Sequence, residues 1–222
     1  MKRMSYRVTF TEELLGTASA NPELMREFIA SKRPDGVDEA EIAALPPVDD
    51  ELAKSMTVFS RDGDKPILWD YQIKGAFKDA CSALSRVGDK KNAGGSASSK
   101  LTAFKKVIDG LIFVEPRKIV LHLPAGKKIG ICERPLRAQT AQGERIALAR
   151  SETVPADTWI EFDVLLLDAK HESLVTEWMD YGQLRGFGQW RNSGKGRYRY
   201  EELDAKKPTR PLKTQSAVLL EV

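Results

Sequence analysis

Residues 182–200 carry the densest chemistry in the chain. They hold five glycines (Gly182, Gly186, Gly188, Gly194, Gly196), five cations (Arg185, Arg191, Lys195, Arg197, Arg199), four aromatic rings (Phe187, Trp190, Tyr198, Tyr200) and no acid. Glycine lets a backbone approach a ligand closely and adopt positive φ, and successive N–H groups in such a loop form a concavity for anions. Arginine offers phosphate a planar fork of donors, and aromatic rings offer faces on which bases stack. Together these features fit a clamp on a nucleic-acid backbone. The plainer reading is a surface turn with solvated charges, and the absence of any acid weighs against it.

Two better-known phosphate loops do not fit. A Walker loop has four residues between its glycines, then Lys and Ser or Thr. Here five residues separate Gly188 from Gly194, and Lys195 is followed by Gly196. A dinucleotide-binding turn follows a strand and opens a helix. This loop instead follows a helical segment and leads into a strand.

Other chemistry-bearing residues are sparse. Lys74 and Lys78 lie one turn apart on a helix, where a solvated face is the ordinary reading. Arg134, Arg137, Arg145 and Arg150 flank Gln142-Gly143-Glu144, which reads as a hairpin turn. A basic hairpin with few apolar residues to bury should project, either to grip a phosphate backbone or a neighbouring subunit, or as a solvated arm. The two histidines suggest structural roles: His122 lies in an alternating strand, and His171 at a strand–helix junction. Carboxylates do not converge as a metal-dependent nuclease requires; Asp35, Asp38, Asp49 and Asp50 read as solvated. Cys81 and Cys132 belong to no CxxC or Cys/His cluster, so two reduced thiols are expected. We expect no catalytic residue, no metal and no cofactor.

The elements that position these residues follow from periodicity. Residues 4–10 alternate as a strand, with Tyr6, Val8 and Phe10 on one side. Asn21-Pro22 opens a helix with Leu24, Phe28 and Ile29 as its apolar face. Residues 33–50, rich in Pro and acid, read as a loop with a short helix. Thr57–Phe59 reads as a strand before an Asp62-Gly63 turn. Residues 70–86 form the best helix, with Ile73, Phe77, Ala80, Cys81 and Leu84 at core spacing. Residues 88–99 read as a mobile Gly/Ser loop. Strands follow at 111–114, 118–123 and 129–132, then an arm over 133–152. A central strand at 159–167, a helix at 172–184 and strands at 197–203 and 217–222 complete the chain.

The chain has 222 residues, 41% hydrophobic and 30% charged, a composition suited to one elaborated globular domain over 1–222 with an inserted lobe at 20–65. No apolar run approaches a membrane span and no signal-peptide pattern opens the chain, so a cytoplasmic protein without a membrane partner is expected. Residues 1–70 carry 9 basic and 14 acidic groups, and residues 71–222 carry 26 and 18. That asymmetry points to an acidic partner for the second part.

The order strand, helix, strands, helix, glycine-rich loop, strand is the ferredoxin-like, RRM-like plan. We therefore expect an α+β fold with a ferredoxin-like core, an inserted helical lobe and a projecting β-hairpin. The glycine-rich stretch from Gly186-Phe187-Gly188 through Arg191 to Gly194-Lys195-Gly196-Arg197 resembles that of the RAMP superfamily, RNA-binding proteins that form the backbone of CRISPR effector complexes. Gln72-Ile73-Lys74-Gly75-Ala76-Phe77-Lys78 is similar to the family's Lys-Gly element, although Trp69-Asp70-Tyr71 stands where the usual Pro-Gly-Ser lead-in would be. The resemblance implies single-stranded, crRNA-like RNA binding, end-to-end assembly with copies of itself or related subunits, and a thumb-like hairpin at 133–152. The RNA-binding set is then Lys74, Lys78, Arg134, Arg137, Arg145, Arg150, Arg185, Gly186, Gly188, Trp190, Arg191, Gly194, Lys195, Gly196 and Arg197. Binding should favour single strands and show little sequence preference, because backbone contacts position without specifying. The family also contains RNA-processing endoribonucleases and phage relatives, and a protein-interaction module mimicking such a subunit is a further alternative.

Overall fold

The computed structural model describes residues 1–32, 38–47, 54–87, 95–140 and 143–204. Its principal sheet is built around β1 (Lys2–Phe10), flanked by β11 (Trp159–Leu166) and β12 (Tyr198–Leu203), with β7 (Ile112–Glu115) outside β11. The order β12-β1-β11-β7 is antiparallel throughout. Taking these four strands in chain order, they lie fourth, first, third, second across the sheet. β1 alternates as expected: Met4, Tyr6, Val8 and Phe10 are buried. Its outward Arg3 and Arg7 pair across the strand with Asp163 (2.5 Å) and Glu161 (2.6 Å).

The helices at Asp70–Leu84 and Glu172–Arg185 cover the inner face of this sheet. The first buries Ile73, Phe77, Ala80 and Cys81, and the second buries Leu174, Val175, Trp178 and Met179. Phe77 and Trp178 meet with ring centroids 5.5 Å apart. Fully burying side chains of this size contributes roughly 1.5–3 kcal/mol each. Burial also pushes the Cys81 thiol above its ordinary pKa, and both cysteines are free.

Two smaller sheets fill the gaps between these elements. β2 (Leu14–Leu15), β3 (Ala18–Ser19) and β4 (Thr57–Val58) join the base of the long hairpin through its second strand, β10 (Gly143–Val154), in the order β2-β10-β4-β3. β5 (Ser60–Asp62), β6 (Lys65–Trp69) and β8 (Lys118–Val120) form the third sheet. The hairpin itself is β9 (Gly130–Thr140) and β10 (Gly143–Val154), paired without interruption from Thr153↔Gly130 to Gly143↔Thr140.

A separate apolar cluster of Ala18, Ala20, Met25, Ile29, Ile42, Met56 and Val58 holds the residues between β2 and β5. The helix at Pro22–Lys32 starts as its sequence predicts, Asn21 Oδ1 accepting from Glu23 N at 2.9 Å. Of the three residues expected on its inward stripe, only Ile29 is buried. Met25 and Ile29 are buried in the cluster, whereas Leu24 and Phe28 are 54% exposed. A short helix at Glu39–Ala43 follows, capped by Asp38. The helix at Phe104–Leu111 was not legible in the sequence. Among the described residues, no helix is long and apolar enough to cross a membrane.

The Gly/Ser segment also departs from expectation at its end. Residues 88–94 lie outside the described residues, but Ser98 is fully buried. The Glu177 carboxylate accepts from Ala97 N, Ser98 N and Ser98 Oγ, and Trp178 Nε1 donates to Ser98 Oγ at 2.9 Å. This polar knot ties the segment to the second core helix. Ser98→Ala leaves the indole N–H without its acceptor. Urea unfolding should then show a loss of about 1–3 kcal/mol with an unchanged m-value.

Candidate nucleic-acid interface

The glycine-rich loop is closed at its neck by two backbone strands in contact. Gly186 (φ +78°) ends the second core helix, its N–H donating to Gly182 O at 2.7 Å. A Cβ on Gly186 would lie 2.6 Å from Lys195 O, and one on Gly196 (φ +72°) would lie 2.1 Å from Phe187 O. Only glycine fits at either position. Between them Phe187 N donates to Gly196 O at 3.0 Å, and Gly196 N donates to Glu13 O at 2.8 Å. The Phe187 ring is buried, stacked on Tyr198 at 4.7 Å and set edge-on to Phe10 at 6.2 Å. The neck is thus anchored in the main core.

Beyond the neck the chain turns at Trp190–Gly194. Trp190 sits at φ +53°, a conformation that costs a β-carbon residue of order 1–3 kcal/mol, and its ring remains 41% exposed. Gln189 secures the turn, its Nε2 donating to Gly16 O at 2.6 Å and Thr57 Oγ1 at 2.9 Å. Its Oε1 accepts from Arg134 Nη2 at 3.2 Å, and the Arg134 guanidinium lies 4.9 Å from the Trp190 ring centroid. Arg134 is only 8% exposed; its Nε and Nη1 are buried without an acceptor, and it makes no ion pair with a described carboxylate. Desolvating a lone charge costs several kcal/mol. The hairpin therefore delivers one cation to the loop's exposed indole.

The remaining cations have partners that sequence reasoning missed. No acid lies within the loop, but the fold brings Asp79 and Glu13 against it. Asp79 Oδ2 receives Arg191 Nη1 at 2.7 Å and Arg185 Nε at 3.4 Å. Arg185 also donates to Asn192 Oδ1 at 2.6 Å. Lys195 binds Glu13 at 2.7 Å, and that hydrogen bond holds its ammonium above the ordinary lysine pKa. Arg197 Nε donates to Leu184 O at 3.1 Å. Helical spacing offered a signal for Asp79, which shares a stripe with Gln72, Gly75 and Ala76, but nothing in the sequence says that the stripe faces the loop. A cleft of about 210 Å³ lies between that stripe and the loop, with Phe187, Gly188 and Arg191 on the opposite wall.

Lys74 and Lys78 are placed elsewhere. At 100° per residue they lie on a different face from Gln72, Gly75 and Asp79. Lys74 Nζ donates to Asp109 O at 3.1 Å and stands 5.2 Å from the Phe113 ring, and burial lowers its pKa. Lys78 pairs with Asp109 at 2.6 Å. The hairpin arginines also divide. Arg134 faces the loop, while Arg150 pairs with Glu133 at 2.5 Å on the opposite face, the face of Arg137 by strand alternation. Arg145 stands opposite Ala138 in the ladder, and its side chain lies outside what is described. That outer face also exposes Ile131, Ile146 and Leu148 by 60–65%. The arm is therefore richer in apolar surface than its arginines suggest.

Neither histidine lies at the loop. His122 stacks on Trp159 at 3.9 Å, and burial lowers its pKa; Arg7 lies 4.9 Å from the same indole. His171 is buried where the second core helix begins. Asp38 caps its short helix and pairs with Arg117 at 2.6 Å; Asp35, Asp49 and Asp50 lie outside the described residues. Among the described residues, no group of three or more His, Cys, Asp or Glu is placed to hold a metal ion.

No family model and no curated protein matches the chain. Among solved structures it is similar to a chain of the Type III-B Cmr-beta complex bound to cognate target RNA, with TM-score 0.47 and 9% identity, covering 91% of this chain and 61% of that one. This chain thus spans about three fifths of that relative. It is also similar to a chain of a Type IV-B CRISPR complex, with TM-score 0.43 and 12% identity, covering 95% of each chain.

Proposed function

We propose that this protein is a non-catalytic, RAMP-like binder of single-stranded RNA on a ferredoxin-like core, acting in the cytoplasm as a subunit of a CRISPR-type ribonucleoprotein or as a phage relative of one. The observation that carries the reading is the meeting of Arg134 with Trp190. A buried guanidinium without a carboxylate awaits an anion, and beside it a strained turn presents an aromatic face to solvent. A phosphodiester and its base supply both partners at once. Lys195 lies in the same loop, where phosphate oxygens compete with Glu13 for its donors, and Arg185 and Arg191 add positive charge there while paired with Asp79. Strand order and helix placement support the ferredoxin-like reading of the core.

Stability and binding separate in Arg134→Met. Removing a buried unpaired charge should leave the melting temperature equal or higher. RNA affinity should fall, and the slope of log K against log salt should flatten by roughly 0.7. Trp190→Ala should cost about 1–3 kcal/mol of binding to an unstructured oligonucleotide, measured by fluorescence anisotropy. If both variants bind like the parent at two salt concentrations, the loop is not the clamp.

In this reading, copies of the chain or related subunits line up along one strand, each hairpin laying its outer face, Ile131, Ile146 and Leu148, against a neighbour. Ile146→Asp combined with Leu148→Asp should abolish the larger RNA-bound species seen by light scattering while leaving the affinity for a short oligonucleotide unchanged. An unchanged assembly size, or a parent protein that stays monomeric on a long strand, refutes this arrangement.

A further inference from the structure

We infer that the cleft between the helix at Asp70–Leu84 and the glycine-rich loop seats one nucleobase of the bound strand, and that Asp79 selects a base carrying an exocyclic amino group. This rests on the RNA-binding reading above and adds a sequence preference that a backbone clamp alone lacks.

Three observations converge. First, the cleft has the form of a base site: Leu68, Ile73 and Ala76 give it apolar walls suited to the faces of a ring, Asp79 and Arg191 supply its charged groups, and the other polar side chains lining it, Gln72 and Thr17, are hydrogen-bonded to each other. Second, Gly75 lines it from the middle of a fifteen-residue helix, where glycine is unfavourable by roughly 1 kcal/mol relative to alanine. Packing does not explain the glycine, since a Cβ there would meet nothing within 4 Å. A ligand occupying that space does. Third, both arginines bind the same carboxylate oxygen, Asp79 Oδ2, and no described donor reaches Oδ1. The arginines hold the carboxylate in place and leave an acceptor oxygen free on a residue that lines the cleft. A phosphate is repelled there and a hydroxyl-rich sugar is mismatched to the walls, whereas a planar ring with an N–H edge satisfies both ends.

Cytosine and uracil test this cleanly, because they share a shape and differ at one edge: cytosine presents an N4 amino donor where uracil presents an O4 acceptor. A hydrogen bond to a charged acceptor should make short labelled oligocytidine bind on the order of ten-fold more tightly than oligouridine. Asp79→Asn, whose amide both donates and accepts, should bring that ratio close to one, whatever it does to the two affinities separately. Gly75→Leu fills the cleft with a better helix former. It should raise the melting temperature by about 2–4 °C while weakening oligocytidine binding several-fold. Tight but equal binding of the two oligonucleotides by the parent overturns the base site and leaves the RNA-binding reading intact. A ratio that survives Asp79→Asn, or undiminished oligocytidine binding by Gly75→Leu, overturns it as well. Failure of the parent to bind either oligonucleotide overturns both readings together.

Discussion

The contact between Gly186 and Gly196 is the constraint on which the candidate site depends. Two backbone segments meet there more closely than any side chain permits, so the loop leaves the core and returns to it at one point. The closure buries Phe187 against Tyr198 and Phe10, which lie on the two paired strands β12 and β1. Everything beyond the neck inherits its position from this wedge. Gln189 reaches back to Gly16 and Thr57, Trp190 is held at positive φ, and Arg191 falls opposite Asp79. The loop gains a fixed shape without regular secondary structure of its own beyond one short turn.

Charge follows a similar logic. The acidic first third and the basic remainder do not simply advertise an external partner, because part of the asymmetry closes on itself. Glu13 meets Lys195, Asp38 and Glu41 meet Arg117, and Asp62 meets Lys118. Apart from Glu41, whose carboxylate is buried, these are exposed groups whose pairing adds little to stability but sets where positive potential remains. Among the described residues, the buried cation without a carboxylate is Arg134, which the hairpin delivers to the loop.

The main sheet and its two helices were legible in the sequence because each has a clean period. β1 alternates, and Asp70–Leu84 repeats its apolar residues every third or fourth position. The helix at Phe104–Leu111 was hidden: it is short, contains Gly110, and starts from Ala103 with no side-chain cap. The stripe of the Pro22–Lys32 helix was misplaced because Leu24 and Phe28 are as apolar as the residues that are buried; which of them turns inward depends on where Ala18, Ile42, Met56 and Val58 come together. For the site, residue types were legible and partners were not. The loop's lack of acid is a statement about sequence neighbours, whereas Asp79 and Glu13 reach it through space. The same holds for Lys74 and Lys78, whose charge was evident and whose direction depends on where the next helix, ending near Asp109, comes to rest.

The hairpin's unbroken ladder has a consequence for how such an arm can vary in length. Eleven consecutive pairs run without a bulge, so the two faces keep their identity from base to tip. Inserting one residue into each strand beyond Arg134 and Ala149 would rotate everything distal to the opposite side, turning Ile146 and Leu148 inward. Inserting two would preserve both faces and extend the arm by about 7 Å. Its reach is therefore quantised: with its faces kept, the arm lengthens or shortens only in two-pair steps.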